Sequence, residues 1–134
     1  MTKSPSEIAR SFYDHFTGGT IGDVLSELFS ADSLIDNPLP EPIRFAGRFH
    51  GPEGFAQYLK NIERDLQILE FNVDEFISEG ERVVVTGSET SRVVATGRSY
   101  TMAWVHVFRI QNGRIAEFRE YNDTAAMRAA FLES

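Results

Sequence analysis

The order of elements predicts an α+β fold. Three observations carry it. Apolar residues recur at helical spacing in the first half of the chain and alternate in the second half. Tight-turn residues separate the alternating runs, with Asn112-Gly113 the strongest hairpin signal. Helices grouped at one end and hairpin-joined strands at the other make an antiparallel sheet with helices on it, not a βαβ array.

Helix one is marked by Ser4 as N-cap, Pro5 at the first helical position and Glu7 closing a capping box. Ile8, Phe12 and Phe16 follow at helical spacing, and Gly18-Gly19 ends it. A short second helix is expected over Ile21 to Phe29. A short strand over Ser33 to Asp36, an irregular turn through Pro38, Pro40 and Pro42, and a return strand around Ile43 to Ala46 come next. Gly51-Pro52-Glu53-Gly54 opens a third helix that runs to about Gln67. Four strands are expected after it: Leu69 to Phe76 with a break near Asp74-Glu75, Arg82 to Ala95, Ser99 to Ile110 and Arg114 to Asn122. A terminal helix over Thr124 to Leu132 closes the chain.

With 134 residues the chain is one domain, residues 1–134, and no linker, repeat or low-complexity tract divides it. Thirteen Lys and Arg against twenty Asp and Glu give a net charge of −7, without the basic stripe of a nucleic-acid binder. The chain has no Cys, which excludes disulfides, thiolate nucleophiles and iron–sulfur clusters. His15, His50 and His106 are too far apart in sequence to suggest a metal site, and neither Gly-rich segment carries the Lys of a phosphate loop. No stretch approaches the ~20 apolar residues of a membrane span, and Met1 to Phe16 lacks the apolar run of a secretory signal. A soluble cytoplasmic protein is the expectation. Eleven Phe, four Tyr and one Trp call for a large core or an aromatic-lined cavity. Both parities of Ser99 to Ile110 are largely apolar, so both faces of the sheet are expected to be covered, one of them by a second copy.

Several segments resemble the SnoaL-like and ketosteroid-isomerase-like superfamily, also known as nuclear-transport-factor-two-like. They are Thr96-Gly97-Arg98-Ser99-Tyr100, His106-Val107-Phe108-Arg109-Ile110, Asn112-Gly113-Arg114-Ile115 and Glu120-Tyr121-Asn122-Asp123-Thr124. Phe29-Ser30-Ala31-Asp32, Asp36-Asn37-Pro38 and Gly51-Pro52-Glu53-Gly54-Phe55 agree. The resemblance covers nearly the whole chain. It implies a conical barrel, a curved antiparallel sheet wrapped around N-terminal helices. It also implies a pocket for a small hydrophobic molecule in the cone and a homodimer through the sheet. It is specific for the fold and weak for the reaction.

The resemblance also nominates residues. Asp123 falls where related cyclases carry an acid/base Asp, and burial in an apolar cone suits a carboxyl group to that work. His106 falls where ketosteroid isomerase holds a donor to the substrate oxygen, and imidazole can donate or accept there. Tyr13 is placed like the isomerase's donor Tyr. Asn37 stands where the isomerase has its general base, and an amide cannot be that base. It resembles instead the water-holding Asn of limonene epoxide hydrolase. Glu89 falls on that enzyme's Arg-x-Asp strand but within Gly87-Ser88-Glu89, without the Arg; Arg92 or Arg119 could supply the charge. Asn37 and Glu89 are expected to bind substrate, with Trp104, Phe108 and Tyr121 as aromatic contacts. The expected activity is cofactor-free acid/base chemistry on a hydrophobic carbonyl compound, of cyclase or isomerase type. The alternatives are a non-catalytic binding or interaction domain and an epoxide hydrolase or dehydratase-type lyase. The enzyme reading requires Asp123, His106 and Tyr13 to converge on one cavity larger than about 300 Å³, the lower end for ligand pockets.

Overall fold

The computed structural model describes residues 3–132. Helix α1 spans Pro5–Gly18, with the Ser4–Glu7 capping box formed and Gly19 as its left-handed C-cap. A single 3₁₀ turn, Ile21–Asp23, leads into the four-residue α2, Leu25–Leu28. The continuous second helix expected from the apolar spacing is therefore broken at Val24, and Phe29 belongs to a strand. Strand β1 covers Phe29–Asp36, β2 Arg48–His50, and α3 Gly51–Asp65 lies between β2 and the long strands. Strands β3 (Leu66–Glu79), β4 (Arg82–Val93), β5 (Ser99–Gln111) and β6 (Arg114–Asn122) follow, and α4 spans Thr124–Phe131.

The six strands form one curved sheet in the order β2-β1-β6-β5-β4-β3, which does not close. Every pairing is antiparallel except β1 with β6, which is parallel, as the long excursion between them allows. The return strand expected at Ile43 to Ala46 lies instead at Arg48–His50. Pro38, Pro40 and Pro42 remove backbone donors from this segment, and Ile43 turns back to bond the Pro40 carbonyl. Ile43 and Phe45 are apolar because they cover the core, not because they pair in a sheet.

Phe12 on α1 is the hub of that core. The rings of Tyr13, Phe16, Phe29, Phe55, Phe108 and Phe118 surround it at centroid distances of 5.0–6.2 Å, mostly edge to face. The sheet thus wraps the helices with its inner face apolar along Met102, Trp104, Phe108 and Ile110. Gly87 sits opposite Trp104 on β4, and a Cβ there would come within 2.2 Å of the indole and of the Asn72 carbonyl oxygen. Only glycine admits the Trp104 ring at that position.

The hairpin between β5 and β6 sets what faces inward. Asn112 and Gly113 both have positive φ, 54° and 76°, as a type I′ turn requires. Next to the turn Gln111 pairs with Arg114 and Ile110 with Ile115. A bulge at Ala116 then shifts the register, so that Arg109 pairs with Glu117, His106 with Glu120 and Trp104 with Asn122. Ile115 and Ala116 are consecutive and both buried, which a regular strand does not allow. No helix among the described residues is long and apolar enough to cross a membrane.

Candidate functional site

The bulge places Glu120 and Asn122 on the inner face beside His106. A chain of hydrogen bonds runs from there across the cone. The His106 Nε2 lies 3.3 Å from Glu120 Oε1, and its Nδ1 lies 2.7 Å from the Tyr13 hydroxyl. The Tyr58 hydroxyl donates to Glu120 Oε2 in a short hydrogen bond. Asn37 Nδ2 donates to the Tyr58 hydroxyl at 2.7 Å, and Asn122 Nδ2 donates to Asn37 Oδ1 at 3.0 Å. Six residues on α1, α3, β5, β6 and the end of β1 are thereby tied together.

The direction of this chain follows from its acceptor. Glu120 as a carboxylate has no proton to give, so Tyr58 donates to it. The Tyr58 oxygen then accepts, which obliges Asn37 to present its NH₂ group there. Asn37 Oδ1 in turn obliges Asn122 to do the same. Asn122 Oδ1 is left at the far end, buried and with no partner among the described residues, and Asn122 lines the cavity. On the other branch, a neutral imidazole with its proton on Nε2 satisfies every group: Nε2 donates to Glu120 and Nδ1 accepts from Tyr13. Burial, then the charge of Glu120, holds the Tyr13 and Tyr58 phenols well above the usual range, so both remain donors.

A second carboxyl group faces the same cavity. Glu89 on β4 accepts from the Ser91 hydroxyl at 2.7 Å and from the Tyr100 hydroxyl at 3.2 Å. Burial is the main cause that raises its pKa, and the charge of Glu120 adds to it, against the two hydroxyl donors. Neither of the two arginines expected to replace the missing one does so: Arg92 reaches Gln67, and Arg119 pairs with Glu117 on the outer face. Phe12 from α1, Phe55 from α3 and Phe118 from β6 contribute to the apolar lining of the cavity. The free volume of the cavity is about 40 Å³, enough for a few waters and well short of a drug-sized ligand. Among the described residues, no group of three or more His, Asp or Glu is disposed to hold a metal ion.

The expected residues separate into three groups. Asn37, Glu89 and His106 line the cavity. Tyr13, Trp104 and Phe108 are buried one layer back from the free space: Tyr13 bonds His106, Trp104 stacks on His106 at 4.0 Å and Phe108 packs on Phe118. Asp123 and Tyr121 are elsewhere. Asp123 is exposed and caps α4 through the Ala126 amide, and Tyr121 is 51% exposed on the outer face of the sheet. The convergence of Asp123, His106 and Tyr13 is therefore not observed; Tyr13 and His106 meet and Asp123 stands apart. The acid inside is Glu120, which the sequence reading did not single out, and with it Tyr58. The signal for Tyr58 was its place one turn after Phe55 on the apolar face of α3. For Glu120 it was the shared parity with Phe118, visible only once the bulge is known.

The profile of the SnoaL-like domain matches residues 9–118. Among solved structures, an NTF2-like protein from Burkholderia xenovorans LB400 is 27% identical. The superposition covers 97% of this chain and 97% of that one, with a TM-score of 0.84. An NTF2-like protein of unknown function from Burkholderia pseudomallei K96243 is 31% identical over 98% of this chain and 100% of that one, at 0.81. TerC, co-crystallised with polyporic acid, is 25% identical over 95% of this chain and 98% of that one, also at 0.81. No curated protein is significantly similar to the chain. By the extent of the profile match and by its fold, the chain belongs to the SnoaL-like domain family.

Proposed function

We propose that the chain binds a small, largely apolar organic molecule in the cone and moves a proton on it next to a carbonyl group. The observation that carries this reading is the pair of carboxyl groups in unlike settings around one aromatic-lined cavity. Glu120 accepts from His106 and Tyr58 and is the base. Glu89 is desolvated, keeps its proton to higher pH than an ordinary carboxyl group, and is the acid. Glu120 takes the proton from the carbon beside the carbonyl as that C–H bond breaks. Glu89 gives its proton to the carbonyl oxygen, and the product is the enol. Where a C=C bond is conjugated with the enol, Glu120 returns its proton to the far carbon while Glu89 takes back the enol O–H proton, and the product is the ketone with its double bond moved. Each step is a proton transfer that carboxyl groups carry out themselves. Asp123, outside the cavity, takes no part. The polyporic acid co-crystallised with TerC supports an organic molecule as the ligand.

The small free volume favours a second reading, a binding domain of the same fold without turnover. One experiment separates the two. A panel of hydrophobic ketones is incubated with the protein in heavy water, and deuterium uptake beside the carbonyl is followed by NMR. The catalytic reading predicts uptake with the wild type and with Asp123→Asn, and a loss of at least a hundredfold with Glu120→Gln. Ketones that bind without uptake would leave the binding reading in its place.

We propose further that the outer face of the sheet pairs with a second copy. Ile77, Val84 and Val107 form one apolar row across three strands, and Val105 and Tyr121 form another beside it. Ile77 and Tyr121 are more than half exposed in the single chain.

A further inference from the structure

The inner cavity and a larger outer groove share a wall. Phe16, Ile62, Ile68 and Phe71 line both. The groove lies between the end of α1, α3 and the start of β3, with a volume of about 590 Å³. One layer of side chains thus separates the polar cluster from an open apolar channel.

Three features shape that channel. A bulge in β3 between Ile68 and Glu70 leaves Leu69 unpaired, and Leu69 lines the groove with 47% of its surface exposed. At Gly19 and Gly22, which also line it, a Cβ would meet nothing within 4 Å, so the absence of side chains keeps the floor open. The charged residues that line it are Glu63 and Glu70, both acidic. In the inner cavity, Asn122 Oδ1 is a buried acceptor with no partner among the described residues, and the Glu120 carboxylate lines the same space. An acceptor beside a carboxylate selects a group that donates hydrogen bonds and rejects an anion.

We propose that the ligand of this site is an elongated amphiphile. Its head carries a hydroxyl donor seated at Asn122 Oδ1. Its uncharged apolar tail passes between Phe16, Ile62, Ile68 and Phe71 into the groove and lies against Leu69. The inference rests on the cone being a small-molecule site, as proposed above, and adds the shape and polarity of what enters it. It also accounts for the narrowness of the inner space, which then has to hold only the head.

The test is calorimetric titration of the intact chain with para-ethylphenol, para-hexylphenol, para-octylphenol and para-octylbenzoate. Affinity is expected to rise about threefold to fourfold per added CH₂ group along the phenols, and the benzoate to bind at least tenfold more weakly than the octylphenol. Leu69→Glu puts a charge in the channel, and Gly22→Phe fills it at a site with open space. Each should cut the ratio of octylphenol to ethylphenol affinity at least tenfold. Ethylphenol binding with no gain from a longer chain would overturn the groove and leave the cone site standing. Absence of binding by any phenol would overturn the hydroxyl-bearing head and the groove together, and the ketone deuterium-uptake experiment, which uses no phenol, would then decide the small-molecule reading beneath them.

Discussion

Glu120 is held from opposite sides of the cone, by Tyr58 from α3 and by His106 from β5. Tyr58→Phe removes one of these donors and leaves Asn37 Nδ2 without its acceptor. The expected cost is about 1–3 kcal/mol of stability, measured by urea unfolding, with little change in helix content. Glu89 allows a pH test. Its folded pKa is raised, chiefly by burial, so the native state keeps a proton that the unfolded chain has already released. Stability from this group is complete below the unfolded carboxyl range and is lost as pH rises through the folded value. Glu89→Gln should therefore be more stable than wild type at neutral pH. The difference should vanish below the ordinary carboxyl range, as a series of urea titrations across pH would show. Asp123 was expected in the cavity from the family resemblance and Tyr121 as an aromatic contact, and one feature of β6 keeps both out of it. Continuing the pairing seen next to the Asn112-Gly113 turn would set His106 opposite Arg119 and Trp104 opposite Tyr121, which faces Arg119, Tyr121 and Asp123 inward. The extra residue at Ala116 reverses that facing for all that follows. The polar residues of the site were in the sequence; their side of the sheet was not legible without the bulge.

At the scale of elements, strong local signals translated directly. The Ser4 capping box and the Asn112-Gly113 turn gave α1 and the hairpin as observed. The segment from Gly19 to Phe49 was less legible, because burial there does not follow element type: Ile43 and Phe45 are core residues in an irregular loop. Two substitutions test the element-level account. Asp123→Ala removes the N-cap of α4 and should cost about 1 kcal/mol in unfolding experiments while leaving deuterium uptake by ketones intact. Gly87→Ala sets a methyl group against the Trp104 ring and the Asn72 carbonyl oxygen. It should cost about 3 kcal/mol or more and shift the near-ultraviolet signal of the single Trp, since a backbone oxygen in the middle of a sheet cannot withdraw.

The whole molecule is a curved open sheet with one face filled by rings and the other carrying an apolar patch. Light scattering should give twice the chain mass for the wild type, and Val107→Glu, in the middle of the patch, should shift it to a monomer. The inner face has its polar groups gathered at one place, where β1, α3, β5 and β6 come together around Glu120. The most direct measurement of that arrangement is an NMR titration of the labelled chain with para-octylphenol, reading the side-chain NH₂ signals of Asn37 and Asn122. The account predicts that both pairs of signals move saturably and together with the His106 ring, as a donor fills the free Asn122 oxygen. Signals that stay fixed while only residues of the outer face respond would contradict it.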